Sequence, residues 1–213
     1  MSISHHPGEE LLLSYASGAA NEAVALLVAS HVTFCAACRD AVQRAEAAGG
    51  ALFATVPPQA MSESAYQAVL ARLDAPSAQI VRSARLTSNV PAPLQAYVGA
   101  DYDNLPWRHI AGGISHLPIK TAGGMQARLI RSEPGSGVFE HTHKGEEWTL
   151  VLTGSYVDVT GRYAAGDVQS TTPEVSHEPT AEAGPVCINL AVTDAPLKFR
   201  GLLPNLLARL HGF

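Results

Sequence analysis

Apolar positions in the first third of the chain recur at helical spacing. Across residues 9–19, Leu12, Tyr15, Ala16 and Ala19 share one helical face, which predicts an amphipathic helix weakened at its end by Gly18. Asn21 and Glu22 can cap a second helix, running through the apolar stretch Ala23-Val24-Ala25-Leu26-Leu27-Val28-Ala29 to about His31. A third helix is expected over 36–48, stopped by Gly49 and Gly50, since glycine readily adopts the left-handed conformation that ends many helices. A fourth opens at Ser62-Glu63-Ser64 and covers 65–73, with Tyr66, Val69, Leu70 and Leu73 on one face.

Over 75–93 the period is lost. Pro76, Pro91, Pro93 and several serines interrupt it, and the stretch reads as a linker between domains. Beyond it, short apolar segments at 126–130, 148–152, 156–159, 167–170 and 186–192 alternate with Gly, Pro and Asp punctuation. Regular short strands with turn signals predict an antiparallel β-barrel or jelly roll, and 202–210 reads as a short closing helix. The expected fold is therefore multidomain α + β. A helical domain occupies 1–75, a linker 76–93 and a β domain 94–213.

Composition narrows the class. With 46% hydrophobic and 15% charged residues among 213, a packed core is expected rather than disorder. The formal net charge of −5 weighs against a nucleic-acid binder, which needs basic surface against phosphates. Three cysteines are too few for a disulfide framework, and Cys35 and Cys38 are too close for an ordinary structural bridge. The N-terminus lacks the basic and apolar regions of a signal peptide. The apolar stretch 23–37 is broken by Ser30, His31 and Thr33 and is shorter than the roughly 18–20 residues of a membrane span. A soluble cytoplasmic protein is expected.

Two ligand sets carry the chemistry. The first is the HxxxCxxC run His31-Val-Thr-Phe-Cys35-Ala-Ala-Cys38. Two thiols and an imidazole suit zinc, which favours tetrahedral N/S ligation in structural sites. His31 closes one helix, Cys35 lies in the turn and Cys38 opens the next, so one ion would pin two helices at their corner. His5 and His6 are the upstream candidates for a fourth ligand, and spacing does not separate them. The competing reading is a pair of buried core thiols, since free cysteine packs as a small hydrophobe. A redox CxxC is disfavoured, because no βαβ pattern surrounds it.

The second set lies in Gly135-Ser-Gly-Val-Phe-Glu-His141-Thr-His143-Lys-Gly-Glu-Glu147-Trp-Thr-Leu-Val-Leu-Thr-Gly154 and fits G-x5-H-x-H-x3-E-x6-G at every fixed position, the first cupin motif. His141 and His143 share a strand face, and Glu147 opens the next strand after a tight connection, so all three can point into one barrel mouth. His177, in the later stretch Gly166 to His177, is the expected fourth ligand. That stretch departs from the second cupin motif by lacking its usual glycine and asparagine, which puts the loop shape in question. Zinc is expected, although three imidazoles and a carboxylate also accept iron, manganese, nickel or copper. The competing reading is a barrel that has lost its metal. Glu146 falls on the strand face opposite Glu147. His109, His116 and His211 read as ordinary surface or core residues, and Cys187 as a buried thiol.

His5-His6, then Leu11-Leu12-Leu13-Ser14-Tyr15-Ala16-Ser17-Gly18, HxxxCxxC, a linker and a cupin barrel, in that order, resemble the ChrR-type zinc anti-sigma factors over nearly the whole chain. The resemblance implies a helical domain that binds and inhibits an extracytoplasmic-function-type sigma factor. It implies zinc on His6, His31, Cys35 and Cys38, which is the ground for preferring His6. It implies a second metal on His141, His143, Glu147 and His177, in a cupin domain that responds to singlet oxygen or organic hydroperoxides. A binding regulator is expected, not an enzyme, with no direct nucleic-acid or membrane partner. An acidic chain suits a sigma factor, whose polymerase-facing surfaces tend to be basic. The alternative is a cupin metalloenzyme, a dioxygenase or isomerase with a helical extension, in which the same four residues hold a metal for substrate and O₂. A DNA-binding zinc module is a third class, disfavoured by charge.

Overall fold

The computed structural model describes residues 3–74, 88–99 and 101–200. Its helices are α1 (Glu9–Ala16), α2 (Glu22–Phe34), α3 (Ala36–Phe53), α4 (Glu63–Asp74) and α5 (Ala92–Val98). Asn21 caps α2 by accepting the Ala23 N–H, as its side chain suggests. Cys35 is at once the last corner of α2 and the N-cap of α3, its sulfur accepting the Cys38 N–H at 3.5 Å.

α3 does not stop at Gly49-Gly50. Neither glycine has a positive φ, so no left-handed cap forms and the helix continues to Phe53. Two helical glycines cost about 1 kcal/mol each relative to alanine, which the alanine-rich turns before them offset. The expected linker is also revised. Residues 75–87 lie outside the described residues, but its last part is core: Val90 is buried and α5 seats Leu94, 0% exposed, beside α2. Pro91 and Pro93, which read as breakers, stand at the cap and first turn of α5, where a missing N–H costs nothing.

The strands are β1 (Arg108–Ala111), β2 (Ile114–Ile119), β3 (Gln126–Ser132), β4 (His141–His143), β5 (Glu147–Thr153), β6 (Ser155–Asp158), β7 (Gly161–Ala164), β8 (Val168–Thr171), β9 (Thr180–Ala181), β10 (Cys187–Thr193) and β11 (Leu197–Phe199). All pair antiparallel, in a sheet ordered β1-β2-β3-β10-β5-β8 and two small ones, β11-β4 and β7-β6-β9. Side chains from all three sheets line one interior cavity, which makes the assembly a barrel. The closing helix expected over 202–210 lies outside the described residues.

Strand alternation gives the large sheet two buried faces. Glu147, Thr149 and Asn189 point into the cavity. Leu150, Leu152, Ile188, Leu190 and Val192 point the other way, into a core they share with Leu26, Leu27 and Val28 of α2. All seven residues of β10 are buried as a result. The helical and β parts are therefore not independent bodies on a flexible spacer, because one apolar core runs through both. Among the described residues no helix is long and apolar enough to cross a membrane.

Candidate metal centres

The HxxxCxxC corner folds as its spacing requires. His31 lies in the last turn of α2, 0% exposed, and Cys35 and Cys38 lie at and just inside the start of α3, both buried. The upstream ambiguity resolves in geometry. His6 places Nδ1 at 3.4 Å from Cys35 Sγ and 3.3 Å from Cys38 Sγ, whereas His5 turns its ring against Tyr163 at 4.5 Å. One ligand atom from each of His6, His31, Cys35 and Cys38 falls within 4.8 Å of the others.

The donor set fits zinc. Bonds of about 2.1 Å to nitrogen and 2.3 Å to sulfur at tetrahedral angles put N and S roughly 3.5 Å apart, close to the two separations observed. His31 Nδ1–H donates to the Gly166 carbonyl at 2.9 Å, which leaves the Nε2 lone pair facing the cluster. That Nε2 is buried and has no hydrogen-bond partner among the described residues. Burial also pushes the His31 pKa down to about 4, so the imidazole is neutral and able to ligate. The Cys38 thiol moves the other way, up to about 12, through burial and then the neighbouring Cys35. A cation bound there would offset the cost of ionising it.

In the barrel, His141 and His143 lie on one face of β4, both buried, and His177 is brought beside them. The stretch before His177 lacks the expected glycine, yet the loop is well held. His141 and His177 exchange two backbone hydrogen bonds of 3.1 Å, an isolated antiparallel bridge that delivers the ligand. His177 Nε2 sits 3.1 Å from both His143 Nε2 and His141 Nε2. Imidazole nitrogens on one tetrahedral zinc stand about 3.3 Å apart, so the three rings are arranged as ligands would be. His141 Nδ1–H donates to the Phe139 carbonyl at 2.8 Å, and His177 Nδ1–H to Asp158 Oδ2 at 2.7 Å. Each bond fixes the tautomer that turns Nε2 inward. Burial lowers the pKa of His141 to about 4 and lowers that of His143 as well.

Glu147 departs from the expected set. Among the described residues the mutual cluster contains His141, His143 and His177. Glu147 Oε2 lies 3.2 Å from His143 Nδ1, and Oε1 accepts the Thr149 hydroxyl at 2.8 Å. With its carboxylate turned to these two groups, Glu147 lines the same cavity as His141 but lies outside the mutual cluster. Glu146 is exposed, on the face alternation assigns it. His116 and Cys187 are both buried.

Sequence reasoning missed the residues that hold the ligands. Asp158 falls inside the expected strand segment 156–159 with no role assigned, yet its side chain is fully buried and accepts from His177, Thr160 and Gln169. Burial opposes its ionisation, but these hydrogen bonds outweigh it and hold the carboxyl well below the usual range. Gly166 and Asp167 likewise carry no signal of their contact with the N-terminal cluster. An acidic residue next to a glycine is an ordinary turn.

Comparison with known proteins adds the identity. The family model described as "ChrR Cupin-like domain" matches residues 95–195. The anti-sigma-E factor ChrR of Cereibacter sphaeroides is 40% identical over 206 residues, covering 97% of both chains. The crystal structure of Rhodobacter sphaeroides SigE in complex with the anti-sigma ChrR matches with a TM-score of 0.81 at 39% identity, covering 91% of this chain and 100% of that one. Since the likeness spans the helical part, the barrel and both histidine-bearing clusters, the chain belongs to the ChrR family of anti-sigma factors.

Proposed function

We propose that this protein binds and inhibits an extracytoplasmic-function-type sigma factor through its helical part. In this reading it holds zinc at His6, His31, Cys35 and Cys38 and a second metal at His141, His143, His177 and Glu147. It releases sigma in response to oxidative stress, singlet oxygen or an organic hydroperoxide, received in the barrel. The observation that carries the reading is α4. Over residues 63–73 it buries no side chain and exposes Tyr66, Val69, Leu70 and Leu73, an amphipathic face with no partner among the described residues. Leu52, Phe53, Val56 and Met61, just before it, are exposed too. Apolar surface of that extent marks a docking site, and an amphipathic helix is a common form of one. The similar ChrR is known as an anti-sigma factor from a complex with SigE.

Membership of an anti-sigma family makes the chain a protein regulator rather than an enzyme. A metal at the helical corner would supply a cross-link that fixes α2, α3 and the N-terminal segment, giving the docking face a rigid base. Zinc is favoured there by the two thiols. The barrel cluster, all imidazole and carboxylate, is less selective and accepts iron, manganese, nickel or copper as well.

The test is co-purification of the full chain with an extracytoplasmic-function-type sigma factor of the same organism. A stable 1:1 complex that blocks sigma-dependent transcription is expected. Replacing Leu70 and Leu73 by Asp should weaken it at least about tenfold while leaving the melt of the free protein unchanged, as for other central apolar anchors. Failure of the unmodified chain to bind or inhibit the sigma factor would sink the reading.

A further inference from the structure

The N-terminal cluster is not held by the helical domain alone. The turn between β7 and β8 reaches it from the barrel. Asp167, 4% exposed, accepts the Ser4 N–H at 2.7 Å and the His5 N–H at 3.0 Å on Oδ1. Its Oδ2 accepts the Ala164 N–H at 2.9 Å, which ties the carboxylate to its own turn. The next residue, Val168, donates its N–H to the His5 carbonyl at 3.1 Å. The backbone immediately before His6 is therefore laced to the barrel at three points.

Gly166, on the same turn, accepts the His31 Nδ1–H. It has φ +96°, and a Cβ there would lie 2.9 Å from Ile3 Cδ1 and 3.3 Å from Phe34 Cβ. The turn is wedged between the segment that delivers His6 and the end of α2 that delivers His31. Two of the four N-terminal ligands are thus positioned from outside the domain they serve.

A continuous strip of contacts joins this turn to the barrel cluster. His177 donates to Asp158 at 2.7 Å. Asp158 Oδ1 accepts the Thr160 hydroxyl at 2.7 Å, and that hydroxyl lies 3.0 Å from the Tyr163 OH, whose proton it can accept. The Tyr163 ring packs on His5, the neighbour of His6. Every step is a hydrogen bond or a ring contact between adjacent groups.

We propose that Gly166 and Asp167 are positioning residues of the N-terminal metal centre, supplied by the barrel, and that the strip from His177 to His5 couples the two centres. The proposal rests on the reading that both clusters hold metal and goes beyond it. The carbonyl of Gly166 keeps His31 in the tautomer that presents Nε2. Asp167 orders residues 4 and 5, so recruiting His6 costs less chain entropy. A displacement of His177 that moves Asp158 shifts Thr160 and Tyr163, and with them the backbone that carries His6. Coupling of this kind is reciprocal: a tighter grip at one cluster tightens the other.

Cobalt(II) reads the two clusters separately, because a thiolate-to-cobalt absorption band arises only where Cys35 and Cys38 ligate. The full chain is loaded with cobalt, and decay of that band is followed after adding an excess of a chromogenic chelator. Outer ligand-holding groups typically matter by roughly ten- to a hundred-fold. Asp167→Ala should speed the decay by about tenfold or more, and the isosteric Asp167→Asn by less, with the urea midpoint of both close to the parent's. His177→Ala, which touches no N-terminal ligand, should speed it as well. In a Tyr163→Phe background, which removes one hydroxyl and keeps the ring, His177→Ala should add little further. If Asp167→Ala fails to fold, Asp167→Asn and Tyr163→Phe decide the matter. Decay rates unchanged by Asp167→Asn, Tyr163→Phe and His177→Ala overturn the coupling. A wild-type protein with no thiolate–cobalt band overturns the metal reading at Cys35 and Cys38, and the proposal with it.

Discussion

Asp158 shows how a single residue can matter through another. It touches no ligand atom that faces the cluster, yet its bond to His177 Nδ1 determines which nitrogen of that ring is free. Asp158→Ala is expected to weaken metal binding in the barrel by roughly ten- to a hundred-fold, read by competition with a chelator of known affinity. Gly154 is the residue-scale counterpart in stability. Its φ is +68°, and a Cβ would meet Cys187 Cα and the Val186 carbonyl, both at 2.8 Å. Backbone atoms cannot swing aside as a long side chain can. Gly154→Ala should therefore cost about 1–3 kcal/mol, seen as a lower urea midpoint. The glycine of the motif was legible in the sequence as a turn. The close approach of β10 behind it was not, because that strand lies over thirty residues away.

Among the elements, α2 and α4 both offer apolar residues in sequence and have opposite fates. α2 buries Leu26, Leu27 and Val28 against α5 and the outer face of the large sheet. α4 leaves its apolar face in solvent. Periodicity announces that a helix has an apolar face, but says nothing of which surface will cover it. Leu27, 0% exposed, is a sensitive probe of the covered case, and Leu27→Ala should cost about 2–5 kcal/mol in the free protein. The cost is expected to appear equally in the urea transition followed by helical circular dichroism and by tryptophan fluorescence, since Trp148 packs against the same core. Separate midpoints would contradict a shared core. At this scale the β10 pattern was also misleading in a useful way. A strand with apolar residues on both faces reads simply as buried, and only the sheet shows that one face serves the cavity and the other the helices.

For the whole molecule, the joined core bears on the release of sigma proposed above. With a flexible spacer, a sensor would have to act on the clamp by detaching from it. Here the barrel and helices share apolar packing, the Asn21 side chain donates to the Gly123 carbonyl at 2.9 Å, and Glu22 accepts the Ala122 N–H at 2.5 Å. A disturbance in the barrel thus has a solid route to α2 and to the N-terminal cluster. Replacing Glu22 by Ala removes the acceptor for both Ala122 and the Tyr97 hydroxyl. As these contacts are exposed and screened by solvent, only a slight lowering of the urea midpoint is expected.

The candidate ligand chemistry was determined by the sequence alone, because it resides in residue types at short spacing. HxxxCxxC places three candidate ligands at one helical corner, and HxH places two on one strand face, whatever surrounds them. The antiparallel β class and the positions of β3, β5, β6, β8 and β10 follow from local apolar segments and turn residues in the same way, whereas β1, β2, β7, β9 and β11 carried no such signal. Tertiary structure decided the rest. It set His6 rather than His5 beside the two thiols, turned Glu147 toward His143 and Thr149, brought Asp158 to His177 and Asp167 to the N-terminal segment, and ran one apolar cluster through helices and sheet. Each of these depends on contacts between segments far apart in the chain, and a local pattern holds no information about which distant group will fill the space beside it.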